Sequence, residues 1–338
     1  MDFAFTPDQE LLRETARNLL ARECPPEVLR AHRHDPTAAD PLWDHLRAFS
    51  ALGAASTVDL CVFVEELGYV AAPGPFFATT ALFQPVLAAI GSDLVDGAAA
   101  GEITGTVALA GADGFWTLNA DPVKTFVLDA DVVDVIALVG VVDGEPTVTM
   151  VEGATPRRVE TVDSSRRVFE VDVGEGELVP IDAAAVAALI DRATVVLAAE
   201  LIGTARRLFE MSLQYAKERR QFGVPIGSFQ AIQHKLADMS LDVERAWSAV
   251  YYAAMAIDSG AGGVDAGDRH RAVHVAKAAA GEAAKRAAKD GIQIHGGIGY
   301  TWEHDLHLFI RRAYASEALL GTTDWHHDRL ADLLFAKS

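Results

Sequence analysis

From Ala183 onward the chain is almost continuously helical in pattern. Ala, Leu, Glu, Lys and Arg fill four long periodic segments, roughly 183–220, 228–259, 267–292 and 304–336. They are broken at Ser259-Gly-Ala-Gly-Gly263 and Gly296-Gly-Ile-Gly299. Long amphipathic helices with short joins bury their apolar stripes against one another, so residues 183–338 predict a four-helix bundle.

Upstream the texture differs. Residues 1–103 read as a smaller helical domain. Thr6 before Pro7-Asp8-Gln9-Glu10 has the form of a capped helix start, and Leu11, Leu12, Ala16, Leu19 and Leu20 recur at helical spacing. Further helices are expected near 43–52, over 58–67 with a stop at Gly68, and over 78–90. Between 104 and 182, short β-branched segments at 106–110, 125–128, 132–139, 147–151 and 167–173 alternate with turns such as Asp113-Gly114. That alternation predicts a small antiparallel β domain. The fold class is therefore α+β, mostly α, in the order helical, β, helical bundle.

The charge balance excludes several functions. A net charge of −19 opposes nucleic acid, which is bound by displacing counterions with Lys and Arg, and opposes anionic membrane surfaces. Apolar runs are too short to span a bilayer, the opening lacks a signal-peptide pattern, and Cys24 and Cys61 have no metal-ligand spacing. A cytoplasmic protein with no metal is expected.

Two bundle segments carry chemistry. Arg219-Arg-Gln-Phe222-Gly223 ends a basic helix at a Gly/Pro corner before a new helix begins near Ser228. Alone, the arginines also suit a helix C-terminus. Gln293-Ile-His-Gly296-Gly297-Ile-Gly299 gathers glycines whose backbone N–H groups can approach a pyrophosphate, or simply turn between helices. No strand precedes it, so it is not a Rossmann fingerprint.

In this order, and with Glu65-Glu66-Leu67-Gly68 and the Phe5-Thr6-Pro7-Asp8 opening, the sequence resembles the acyl-CoA dehydrogenase family over most of its length. The resemblance implies an N-terminal helical domain, a middle β domain and a C-terminal four-helix bundle. It also implies FAD as cofactor and an acyl-CoA thioester as substrate, oxidised to the trans-2-enoyl form. Arg219 and Phe222 match residues gripping the FAD pyrophosphate and adenine, and Gln230 matches a glutamine nearby. Gln293, Gly296 and Gly297 match the turn on the adenosine diphosphate. In the family these act across a dimer interface on the neighbour's FAD. Thr322 falls where a threonine contacts the chain's own FAD, while Asp324 stands where a glutamine is usual.

The catalytic parts are missing. The family base precedes a Gly-Thr pair, here Gly321-Thr322, and that residue is Leu320. The alternative position, ten residues before Gly203, is Ala193. Asp191, Glu200 and Glu317 lie off register and read as exposed helix charge; Asp191 is about 200° round the helix from Ala193. The family's flavin-lining Thr-Glu-Pro-x-Ala-Gly-Ser-Asp loop is absent after residues 107–110, and Leu128 replaces the threonine that meets the flavin edge. The Pro-Glu-x-x-Gly-Gly loop is also missing between Leu52 and Val58. What the family lends to a neighbour survives, and what it uses for its own flavin is gone.

The resemblance thus implies the companion subunit of a heteromeric dehydrogenase, α2β2, of a kind associated with actinobacterial steroid catabolism. Such a chain alone would be inactive, completing FAD held with a catalytic partner. The alternatives are a non-catalytic stabilising or regulatory partner, and a homomeric dehydrogenase using an unusual base such as Glu317. His270 and His274, four residues apart, read as an exposed face, and His304, His307, His326 and His327 as surface positions. Trp247, Tyr251 and Met255 read as a core stripe. No Gly-x-Ser-x-Gly elbow accompanies His295-Gly-Gly297, which excludes a serine hydrolase.

Overall fold

Thr6 caps the first helix as its sequence anticipates. Its hydroxyl accepts from the Gln9 N–H, and the Gln9 side chain accepts from the Thr6 N–H. The computed structural model describes residues 4–174, 176–260 and 264–335.

The N-terminal helices are α1 (Pro7–Glu23), α2 (Pro26–His32), α3 (Asp40–Leu46), α4 (Thr57–Val70), α5 (Gln84–Ile90) and α6 (Val95–Ala99). The expected helix at 43–52 is instead α3 followed by a tighter 3₁₀ stretch, Arg47–Ala54, and the one at 78–90 begins with a wide turn, Ala78–Phe83, before α5. Gly68 does not stop α4, which runs on to Val70 and ends on a left-handed Ala71. Gly68 serves a crossing instead. A Cβ built on it would lie 2.0 Å from the Glu200 carbonyl oxygen, and one on Gly203 would lie 1.9 Å from that of Glu65. The paired glycines let α4 press against the first bundle helix.

The middle region holds β1 (Gly105–Ala108), β2 (Val123–Leu128), β3 (Val135–Val142), β4 (Glu145–Glu152), β5 (Arg157–Val159), β6 (Val168–Asp172) and β7 (Val179–Pro180). One sheet has the order β1-β3-β4-β7 and the other β2-β6-β5. The arrangement is not wholly antiparallel, because β1 pairs parallel with β3. The chain leaves β1, crosses to the second sheet as β2 and returns, which is the crossover that parallel pairing requires.

The C-terminal helices are α7 (Ala183–Glu218), α8 (Gln230–Asp258), α9 (Ala266–His295), α10 (Leu306–Ala318) and α11 (Thr323–Phe335). The fourth expected segment is two helices, parted where Leu320 and Gly321 take positive φ values of 57° and 97°. The glycine break near Ser259 lies partly outside the described residues. Tyr251 is fully buried, with Trp247 4.7 Å away, so that stripe is core. No described helix is long and apolar enough to cross a membrane.

Candidate functional site

At one end of the bundle, α7 stops at Glu218 and Arg219 turns into an extended conformation. Two short antiparallel strands, Arg220–Gln221 and Val224–Pro225, close a hairpin whose tip holds Phe222 (φ 52°) and Gly223 (φ 81°). Phe222 is 93 % exposed, and its ring meets the edge of Phe229, 6.2 Å away. An L-residue with a large apolar side chain rarely adopts this backbone, and here the conformation thrusts the ring outward. Gln230, exposed, begins α8 on the same rim.

The end of α9 completes that rim. His295 stacks on Tyr215 of α7 at 4.4 Å, fixing the two helix ends together. Its Nδ1–H donates to the Gly291 carbonyl at 2.8 Å, and burial holds its pKa below the usual histidine value, so the ring is neutral. Gly296 then leaves the helix at φ 64°, and a Cβ built on it or on Gly297 would meet nothing within 4 Å. Gln293 is exposed beside them, and the Arg219 guanidinium has no ion-pair partner among the described residues. The structure therefore brings Arg219, Phe222, Gln230, Gln293, Gly296 and Gly297 to one open rim. A cation, an aromatic face, two amides and bare glycine backbone suit a pyrophosphate joined to a purine.

Thr322 does not join them. It lies at the far end of the bundle, where its hydroxyl accepts from Trp325 N–H at 3.2 Å at the start of α11. From Gly281, against which Thr323 packs, α9 rises about 1.5 Å per residue over 15 residues to Gly296, which puts Thr322 about 22 Å from the rim along the helix.

That far end has its own cleft, a cavity of about 390 Å³. Phe115 and Trp116 from the β1–β2 connection face Val186, Ile190 and Thr194 of α7, Val273 of α9, and Leu320 and Trp325. Leu320 is 4 % exposed and Ala193 is fully buried, and neither side chain can take up a proton. Glu317 is not exposed helix charge. Its Oε1 accepts from Thr323 N–H at 2.7 Å and pairs with Lys285 at 3.1 Å. Despite burial, those bonds hold its pKa below the ordinary carboxyl value, which is the wrong direction for a base-to-acid shuttle.

The other off-register charges also differ from the sequence reading. Glu200 is buried against Arg166 and accepts from Ser316 Oγ at 2.8 Å. Asp191 faces His270, whose Nδ1 lies 3.1 Å from its carboxylate. His270 begins a row rather than an exposed face. Its Nε2 is 3.2 Å from His274 Nε2, His274 Nδ1 is 2.7 Å from His326 Nδ1, and His326 Nε2 is 3.0 Å from the Leu320 carbonyl. His274, His307 and His326 are buried. An i, i+4 pair on α9 is visible in sequence, but the third histidine comes from another helix and leaves no local signal.

This cleft does not fit a flavin ring. Such a ring needs an acceptor for its imide N–H as well as donors, whereas the one lining carboxylate, Asp191, is held by His270 and the imidazoles are spent on one another. Leu128 is buried and apolar at 1 % exposure.

Comparison with known proteins points to one family. The profile described as acyl-CoA dehydrogenase, C-terminal domain, matches residues 183–335. A Mycobacterium tuberculosis protein named acyl-CoA dehydrogenase IpdE2 is 34 % identical over 331 residues, covering 93 % of this chain and 94 % of that one. Among solved structures, the ChsE4-ChsE5 complex from Mycobacterium tuberculosis superposes with a TM-score of 0.88 at 23 % identity, covering all of both chains. A Tcur3481-Tcur3483 steroid acyl-CoA dehydrogenase variant superposes at 0.87 and 25 % identity, covering 98 % of each.

Proposed function

The chain belongs to the acyl-CoA dehydrogenase family, and from that premise we propose that it is the non-catalytic subunit of a heteromeric dehydrogenase, closing the adenine end of an FAD held with a catalytic partner. FAD is the cofactor expected of this family. When bound, it accepts the hydride that leaves the β-carbon of an acyl-CoA.

This chain's residues supply binding at the rim. Arg219 neutralises pyrophosphate charge, Phe222 offers a face to the purine, and Gly296 and Gly297 let backbone N–H groups approach without a Cβ in the way. Gln230 and Gln293 orient the remaining polar atoms. None of its residues abstracts the α-proton, so a carboxylate of the partner does so. An α2β2 assembly, a steroid-derived acyl group and a cytoplasmic setting complete the proposal. Two lines support the assembly and the substrate: one structure of like fold is the ChsE4-ChsE5 complex, and another, Tcur3481-Tcur3483, is described as a steroid enzyme.

One observation carries this reading. The outward-facing rim keeps an Arg219 with no ion-pair partner among the described residues and a 93 % exposed Phe222, while both base positions are buried aliphatic groups. Coexpression with a full-length dehydrogenase should give one-to-one copurification with about one FAD per pair. Arg219→Ala should then weaken FAD retention by about 1.5–3 kcal/mol, the worth of a charge-assisted hydrogen bond. Unchanged retention would leave a purely stabilising partner, and dehydrogenation by this chain alone would restore the homomeric reading.

A further inference from the structure

The row of histidines in the far cleft has a proton count fixed by its ends. Asp191 is a carboxylate and the Leu320 carbonyl is a backbone oxygen, so both can only accept. His326 must therefore donate from Nε2 to Leu320, leaving its Nδ1 to accept from His274. His274 must then accept at Nε2 from His270, which donates from Nδ1 to Asp191 as well. Four bonds among three imidazoles need four protons, one more than three neutral rings carry. The row thus holds one positive charge. It rests on His270, where the hydrogen bond to Asp191 raises the pKa, while burial lowers those of His274 and His326.

The rest of the lining adds donors and little to accept them. Arg329 stands at the mouth, paired with the exposed Asp332 at 3.0 Å and packed over Trp325. Trp116 and Trp325 line the cavity, and their indole N–H groups have no acceptor among the described residues. Asp191, already held by His270, is the one carboxylate among the lining residues. The cavity walls are otherwise apolar: Phe115, Leu118, Val186, Ile190 and Val273. The His270 charge is answered by Asp191, and Arg329 shares exposed Asp332, so what the lining keeps in reserve is donors: the two indole N–H groups and the Arg329 N–H groups not on Asp332. A ligand that satisfies it brings acceptors, a negative charge and an apolar body.

We propose that this cleft is a ligand site of its own, taking a small carboxylic acid with a compact apolar ring, its carboxylate on Arg329 at the mouth and its ring between Trp116 and Trp325. The cavity, about 390 Å³, falls in the size range of small-molecule sites. The site is separate from the rim and does not depend on the subunit reading.

The test titrates the full-length chain with cyclohexanecarboxylate, reading tryptophan fluorescence and calorimetry, with cyclohexanecarboxamide as the uncharged control. Saturable one-to-one binding is expected, with the amide weaker by about tenfold or more. Ala187→Phe, on an exposed position lining the cavity, should fill the mouth and abolish binding without shifting the thermal midpoint. Arg329→Gln should weaken the acid about tenfold and leave the amide unchanged. Absence of saturable binding, equal binding of acid and amide, or acid binding that survives Ala187→Phe overturns the proposal. So does FAD binding by the isolated chain that Ala187→Phe removes. FAD retention in the partner complex reads the rim, so failure there is a separate result.

Discussion

Single residues decide most of what this chain can do, and they are unequally legible. Leu320 and Ala193 can be named from sequence because their absence of chemistry is a property of the residue alone. Glu200, Glu317 and His326 cannot, because a charge or imidazole on a helix gives no hint of what another helix brings against it. Their burial also sets how the folded chain responds to pH. For His274 it lowers the pKa from 6.5 to about 4. Between those values the unfolded chain binds more protons than the folded one, so the stability His274 contributes is present above pH 6.5 and lost as pH falls toward 4. Lys277, buried beneath the Glu317 and Gly321 carbonyls and lowered to about 7, acts with the same sign at higher pH. His270 acts with the opposite sign, but it is 45 % exposed and its ion pair is screened. The urea midpoint should therefore fall as pH drops from 7 to 5, and His274→Gln should be less stable at pH 7 with a shallower slope. A variant slope equal to that of the parent protein would remove His274 from the account.

At the scale of elements, periodicity locates the long helices and strands, and two of the misreadings fall at glycines. Gly68 has the look of a helix end because glycine is favoured there. Its use in contact with α7 depends on a partner more than a hundred residues away in sequence. Gly321 reads as part of a motif within one helix, yet its φ of 97° divides α10 from α11. The same residue type thus serves close packing, chain reversal or ligand access, and only tertiary context separates these uses. A substitution pair makes the distinction measurable. Gly203→Ala places a methyl 1.9 Å from the Glu65 carbonyl oxygen, where backbone must move, and should cost about 3 kcal/mol or more in urea denaturation. Gly297→Ala meets nothing within 4 Å and should change stability by less than about 0.5 kcal/mol. In the partner complex it should nevertheless weaken FAD, because the new methyl occupies the space the nucleotide needs. Equal stability losses at the two positions would contradict this division.

Across the whole molecule, three regions that sequence texture separates are joined by one buried cation. Arg312 of α10 donates from Nε to Asp163 of the β region at 2.6 Å and from Nη2 to Ser165 Oγ at 2.8 Å. It also donates to the carbonyls of Ala71 and Ala72 at the end of α4, and lies 3.6 Å from Glu200 of α7. Despite their burial, nearby cations keep the pKa values of Asp163 and Glu200 below the usual carboxyl range, with Arg312 prominent for both, so the cluster is ionised. An arrangement of this kind adds little net stability over apolar packing, but removing one member strands the others without compensation. It does fix how the regions sit, since a planar guanidinium with five donors admits few alternative poses. That orientation matters here, because the rim and the cleft occupy opposite ends of one bundle and the cleft is closed by a β-region loop carrying Phe115 and Trp116. Arg312→Ala should therefore lower stability by about 3–5 kcal/mol and separate unfolding of the β region from that of the bundle. Far-ultraviolet dichroism and Trp fluorescence would then report different urea midpoints where the parent protein shows one. If both probes stayed coincident in the variant, the regions would be held in register by their apolar contacts, and Arg312 would be a local pairing only.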